Sequence, residues 1–222
     1  MKVLLFLLSL GSLNACEKKP VEFQKQEMIQ ETNIINLVKK NDIAAVKSAL
    51  DNRADVNTKD KKSRSLLLIA TIDKQTEMAK LLVSYKADVN LQDDQLDSPF
   101  LYAGASGQTE LVRLFLENGA RFDVFNRYNG TALIPACERG HVETVKVLTK
   151  TKGFPVNHVN RLGWTALMEA VILGNGTQKY QEIVKILKDN GADLTIPDRS
   201  GKTALQHAEE SGFAEIAQIL KS

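Results

Sequence analysis

The sequence predicts an all-α solenoid of about six helix-turn-helix units. Three observations carry that expectation. Ala54, Ala87 and Ala120 lie 33 residues apart, and each opens an exit motif: Ala54-Asp55-Val56-Asn57, Ala87-Asp88-Val89-Asn90 and Ala120-Arg121-Phe122-Asp123. Thr131-Ala132-Leu133, Thr165-Ala166-Leu167 and Thr203-Ala204-Leu205 share one opening. Glu110-Leu111-Val112, Glu182-Ile183-Val184 and Glu215-Ile216-Ala217 share the start of a second helix. The clearest unit runs from Asn129 to Leu148. Gly130-Thr131-Ala132-Leu133 turns into an apolar segment, Gly140-His141 turns again, and Val142, Val145 and Leu148 mark one face of a helix.

These motifs at that period resemble the ankyrin repeat over roughly residues 33–222. The resemblance implies an ankyrin-repeat solenoid whose units are joined by β-hairpin-like loops. It names an architecture rather than a task. Composition is compatible with it. The chain is 43% hydrophobic, enough for a continuous core, and its formal charge of +2 lacks the strongly basic face that nucleic-acid binding requires. Cys16 and Cys137 are the two cysteines, too few for a disulfide scaffold.

Taken in order, the chain begins with an address. Lys2 supplies a positive start, Val3 to Leu10 is apolar apart from Ser9, and small residues follow, so residues 1–15 read as a signal peptide. The run falls short of the roughly 20 apolar residues that span a bilayer. Leu13-Asn14-Ala15-Cys16 resembles a bacterial lipobox, although Asn14 departs from its commonest pattern. That resemblance implies cleavage before Cys16, lipid attachment to Cys16, and residence in the bacterial periplasm on the inner or outer membrane, with the lipid as the sole membrane contact. Glu17 leaves the choice of membrane open. The competing reading is an ordinary signal peptide cut near Ala15. Residues 16–32 read as a polar tether, with Pro20 opposing regular structure near its start and Phe23, Met28 and Ile29 able to form a short amphipathic helix. Fully extended it would reach about 50 Å.

The array then divides into repeats at about 33–60, 61–92, 93–125, 126–159, 160–197 and 198–222. The first is atypical, as a terminal unit with one solvent face should be. In the second, Ser65-Leu66-Leu67 opens the unit, and Lys74 stands where the inter-helix glycine is usual. The third opens on Ser98-Pro99-Phe100, with Pro99 at a helix start where its missing N–H costs little. The fourth carries one extra residue near Thr151-Lys152-Gly153 and places Pro135 near a helix N-terminus, where it is expected to be tolerated. The fifth has about five extra residues around Asn175 to Lys179, expected to lengthen the loop between its helices. The last presents Glu209, Glu210, Glu215, Gln218 and Lys221 as a polar outer cap.

Chemistry is not expected. His141, His158 and His207 fall in three different repeats with no metal-ligand spacing. Gly201-Lys202-Thr203 imitates the end of a phosphate-binding loop, but Ile196 stands where its first glycine belongs. Cys137 reads as a small buried hydrophobe. The chain is therefore read as no enzyme, with no cofactor and no metal.

The resemblance also implies where a partner sits, on the turn tips and the exposed face of the first helices. Carried over repeat by repeat, these positions include Lys62 and Arg64, then Asp94 and Asp97, then Arg127 and Tyr128, then Arg161, Leu162, Trp164, Ile172 and Leu173. Trp, Tyr and Arg dominate binding energy at interfaces, which favours the fourth and fifth repeats. The alternative is that Trp164 packs on its neighbouring finger and Leu162 stabilises a turn. Lys62 and Arg64 with Asp94 and Asp97 would add charge selectivity. The expectation is a monomeric periplasmic module that masks or inhibits a partner enzyme, such as a self-produced cell-wall (peptidoglycan) hydrolase or peptidase. The alternative is an envelope scaffold that stabilises a partner, such as a redox enzyme, without inhibiting it.

Overall fold

The computed structural model describes residues 33–222; the signal-peptide, Cys16 and tether expectations lie outside the described residues. The array is built of paired helices. Residues 33–39 (α1) pair with Ile43–Asp51 (α2), and Leu66–Ile72 (α3) with Thr76–Ser84 (α4). Pro99–Ala105 (α5) pairs with Thr109–Glu117 (α6), and Leu133–Glu138 (α7) with Val142–Lys150 (α8). Ala166–Ile172 (α9) pairs with Gln178–Asp189 (α10), and Ala204–Glu210 (α11) with Ala214–Lys221 (α12). From α3 onward the first helices stack as one row, and the second helices from α2 to α12 stack as another. The result is an all-α solenoid of about six helix-turn-helix units.

The core is continuous along both rows. Leu66, Leu67, Met78, Leu82, Leu111, Phe115, Leu133, Leu148, Leu167, Ile183 and Leu187 are all buried within it. Apolar residues three or four apart place one face of each second helix inward, while charged residues face water. Cys137 is fully buried, and burial holds its thiol well above its ordinary pKa. Glu209, Glu210, Glu215, Gln218 and Lys221 are exposed on the last unit.

Five fingers join the units, and all share one tip. Asp60, Asp93, Asn126, Asn160 and Asp198 each donate a backbone N–H to the carbonyl four residues on. In each finger the side-chain oxygen also accepts from the N–H groups two and four residues on. The fourth residue of every tip takes a left-handed conformation, filled by Gly163 and Gly201 but also by Ser63, Leu96 and Asn129. The loops are thus hairpin-like, each tip closed by that bond and by a second from the N–H of its fourth residue to the carbonyl of its first; Lys59 and Ser65 form an isolated β-bridge. Lys74 keeps the same left-handed turn as Gly107 in the next repeat, with φ of 56° against 70°, so the departure from glycine strains the turn without changing its path.

A second set of side chains ties neighbouring repeats together at the finger bases. Asn57, Asn90 and Asn157 accept from the backbone N–H of Asp88, Arg121 and Asp193 in the next unit, at 2.9, 2.8 and 2.8 Å. Asn90 and Asn157 also donate to the carbonyls of Gly119 and Gly191. The rung is missing between the third and fourth repeats. Asp123 stands where the asparagine would, and Pro155, which has no N–H, stands where its donor would. Asp123 pairs instead with Arg121. One ring pair spans the gap: Phe122 lies 5.0 Å from the buried Phe154, with Phe100 of its own repeat 6.4 Å away.

Two sequence expectations need revision. The five extra residues of the fifth repeat do not all enter the loop. The stretch 173–177 is two residues longer than the matching 73–75, and α10 runs to 12 residues against nine in α4, α6 and α8. Tyr180, on the added turn, is buried and donates its hydroxyl to the Glu138 carbonyl at 2.8 Å, which anchors the extension to α7. Pro135 is also less neutral than expected. In the other first helices the carbonyl of the opening Ser or Thr accepts from Ile69, Tyr102, Glu169 or His207. Pro135 occupies that donor position without an N–H. Helix α7 accordingly starts late, at Leu133, and the buried Thr131 hydroxyl has no partner.

Candidate functional site

The sequence-predicted surface divides in two. In the second and third fingers, Arg64 folds back on Asp60 at 2.6 Å, and the Asp94 carboxylate accepts from Ser63 at 2.5 Å. Lys62 stays exposed while its carbonyl accepts from the Asp94 N–H. These residues lie apart from the others.

Asp97, Arg127, Tyr128, Leu162 and Leu173 do come together, around a groove of about 460 Å³ formed by the third to fifth repeats. That size is in the usual range for ligand clefts, roughly 300–1,000 Å³. Arg127 lies over the Tyr128 ring at 5.2 Å and reaches Asp97 at 3.6 Å. Tyr128, Leu162 and Leu173 are 50%, 46% and 46% exposed, and these three are half of the large apolar side chains exposed on the described residues. Their positions follow from the shared finger geometry. Tyr128 and Leu162 each sit at the third residue of a tip, held by the N–H bonds to Asn126 and Asn160, and the Arg161 N–H donates to the Tyr128 carbonyl at 2.7 Å. Arg161 also takes the Arg199 guanidinium on its own carbonyl. Trp164 and Ile172 are placed otherwise. Both are half-buried against the core and neither lines the groove.

The groove floor holds residues that the sequence did not single out. Glu169, in the middle of α9, is 4% exposed. Asn160 donates its amide to Glu169 Oε1 at 2.9 Å, while its own oxygen holds the Leu162 and Trp164 N–H groups. Burial, reinforced by the negative charge of Glu138, pushes the Glu169 carboxyl up to about 7, against the bond from Asn160. Burial and Asp93 raise Asp97 as well, opposed by Arg127 and Arg139. Arg139 is engaged elsewhere, donating to the Ala105 carbonyl at 2.7 Å. Tyr102 and Pro135 stand at the positions of α5 and α7 that correspond to Glu169 in α9. The available signal was Glu169 itself, a charge inside the apolar run Ala166 to Ile172.

The histidines take structural places. His158 stacks on Phe125 at 4.4 Å and meets the Asn129 carbonyl, and His207 pairs with Asp198 at 2.7 Å. Among the described residues, no group of three His, Cys, Asp or Glu side chains is arranged to hold a metal ion.

Comparison with known proteins gives one consistent result. A family model described as ankyrin repeats (three copies) matches residues 34–126 and 121–198. The Escherichia coli ankyrin repeat protein YahD is 37% identical over 179 residues, 81% of this chain and 89% of its own. A crystal structure of an ankyrin repeat domain from Acinetobacter baumannii is 44% identical, with a TM-score of 0.83, covering 86% of this chain and 97% of that one. The solved ankyrin repeat protein EF0377 has the same TM-score at 41% identity, over 85% and 96% of the two chains.

Proposed function

The chain belongs to the ankyrin-repeat family, whose arrays are non-catalytic modules for protein–protein interaction, and on that premise we propose that it is a periplasmic binding protein that masks a partner enzyme through the groove of its third to fifth repeats. The observation that carries this reading is the cluster of exposed Tyr128, Leu162 and Leu173 around one groove. Adjacent exposed apolar side chains mark contact surfaces, and tyrosine and arginine are among the residue types enriched at binding hot spots.

The cellular setting is proposed from the N-terminal sequence. Lys2, the apolar stretch from Val3 and the Leu13-Asn14-Ala15-Cys16 motif support export and a lipid anchor on Cys16. An array with no chemistry, held in the bacterial envelope, acts by occupying another molecule. A secreted cell-wall hydrolase or peptidase is the proposed client, because such an enzyme endangers its own producer.

The test is capture from an envelope fraction on the full chain carrying Cys16→Ser, beside the same protein with Tyr128→Ala and Leu173→Ala. Both substituted groove side chains are exposed, so the fold should survive their loss. One cell-wall enzyme held by the first protein, weakened at least about tenfold by the second and inhibited at equimolar array, is the expected result. Equal capture by both proteins places the interface elsewhere. A captured enzyme whose activity is unchanged or raised makes the array a scaffold instead.

A further inference from the structure

Among the described residues, Glu169 is a buried carboxylate without a cation. There Asn160 satisfies one oxygen, no hydrogen bond reaches the other, and no Lys, Arg or His nitrogen lies within ion-pair distance. Its side chain nonetheless lines the groove. The free oxygen opens to the groove, and a carboxylate this poorly hydrated gains more from a cation than one in bulk water does. The neighbouring repeat leaves the space open, because Pro135 stands at the matching position of α7 and offers no polar group in return. The two arginines on the groove are already committed, Arg127 to Asp97 and Tyr128, and Arg139 to the Ala105 carbonyl.

We propose that this groove receives the side chain of a lysine in an extended segment of a partner protein, its alkyl stem on Pro135, Leu162 and Leu173 and its ammonium on the unoccupied Glu169 oxygen. The inference rests on the reading of the groove as a protein-binding face and names what that face recognises. Charge and shape select the occupant. The floor offers a single carboxylate oxygen, which suits a compact ammonium; a guanidinium gains most from a carboxylate with both oxygens available. The apolar walls suit a four-carbon stem that ends in charge. Glu138 adds negative charge beside the same floor.

The probe is a set of acetylated pentapeptides, Gly-Ser-Xaa-Ser-Gly, with lysine, norleucine or arginine at the centre. Each is titrated into the full-length protein while backbone amide resonances are followed by NMR. The lysine peptide should shift the amides of Leu162, Glu169 and Leu173 and bind about tenfold more tightly than the norleucine peptide, with arginine between them. Glu169→Gln keeps the shape and should abolish the lysine preference. In the native protein the preference should grow about tenfold from pH 6 to pH 8 as Glu169 ionises. Glu138 and Arg139 on α7, Tyr102 on α5, and Asp97, Arg127 and Tyr128 at the rim also line this groove, so the Gln variant isolates the Glu169 contribution.

Equal binding of lysine and norleucine peptides overturns the proposal, as does a lysine preference that survives Glu169→Gln. If partner capture still depends on Tyr128 and Leu173, the protein-binding face stands and only the lysine pocket is lost. Capture indifferent to those two side chains removes the face, and this inference with it.

Discussion

Thr131 shows how one neighbour decides what a residue is worth. Ser65, Ser98, Thr165 and Thr203 cap their helices by accepting from the N–H three residues on, at 3.1, 3.2, 3.3 and 3.4 Å. Thr131 holds the same place in the motif and makes no such bond. Thr131→Val should therefore be neutral or stabilising by up to about 1 kcal/mol, because it removes a buried hydroxyl without a partner. Thr165→Val should cost about 1 kcal/mol, the usual worth of a cap. Urea unfolding of the two variants checks the contrast. The sequence identified both threonines as openings but could not show that Pro135 takes the first one out of register. Depth was hidden in the same way. Trp164 and Ile172 read as groove positions from the period, which says nothing about how far a side chain sinks toward the core. Glu169 escaped notice because a charged residue is rarely buried unpaired.

At the level of the element, the exit motifs were the most legible part of the chain, because their spacing marks each junction and their asparagines form the rungs. Asn90→Ala removes an accepted and a donated bond between the third repeat and its neighbour and should cost about 2 kcal/mol. Asp123→Asn should change stability by less than about 0.5 kcal/mol, since Pro155 leaves a new amide no N–H to accept from. Thermal unfolding of the pair measures both. The insertion in the fifth repeat was visible as a count, but its division between loop and helix was not. That division depends on Tyr180 finding both a buried site and the Glu138 carbonyl, a contact across 42 residues that no local pattern contains.

For the whole molecule, Glu169 gives stability a slope with pH. Its folded carboxyl holds a proton up to about 7, whereas its ordinary value is 4.5, so between those values the folded chain binds more protons than the unfolded one. Stability should fall as pH rises through that window. Glu169→Gln should flatten the slope, gaining on the order of 1–2 kcal/mol at pH 8 and little at pH 4, after allowance for water in the open groove. Denaturant midpoints of both proteins across pH 4–8 would show it; parallel curves would mean that the floor is wetter than its geometry implies.

The missing rung beside Pro155 has a mechanical meaning. A solenoid stretched from its ends behaves as a row of springs in series, and most of the extension goes to the softest coupling. Directional bonds between backbone and asparagine resist shear and rotation, whereas ring packing of Phe100, Phe122 and Phe154 lets surfaces slide with little change in contact. The joint between the third and fourth repeats, beneath the groove, therefore lacks this tie at its finger base and is held directionally at its helices, where Arg139 donates to the Ala105 carbonyl and the Thr109 and Thr144 hydroxyls bond. Tension along the array, or the wedge of an entering chain, would be taken up first on the finger side of that joint, as a change in the groove's width.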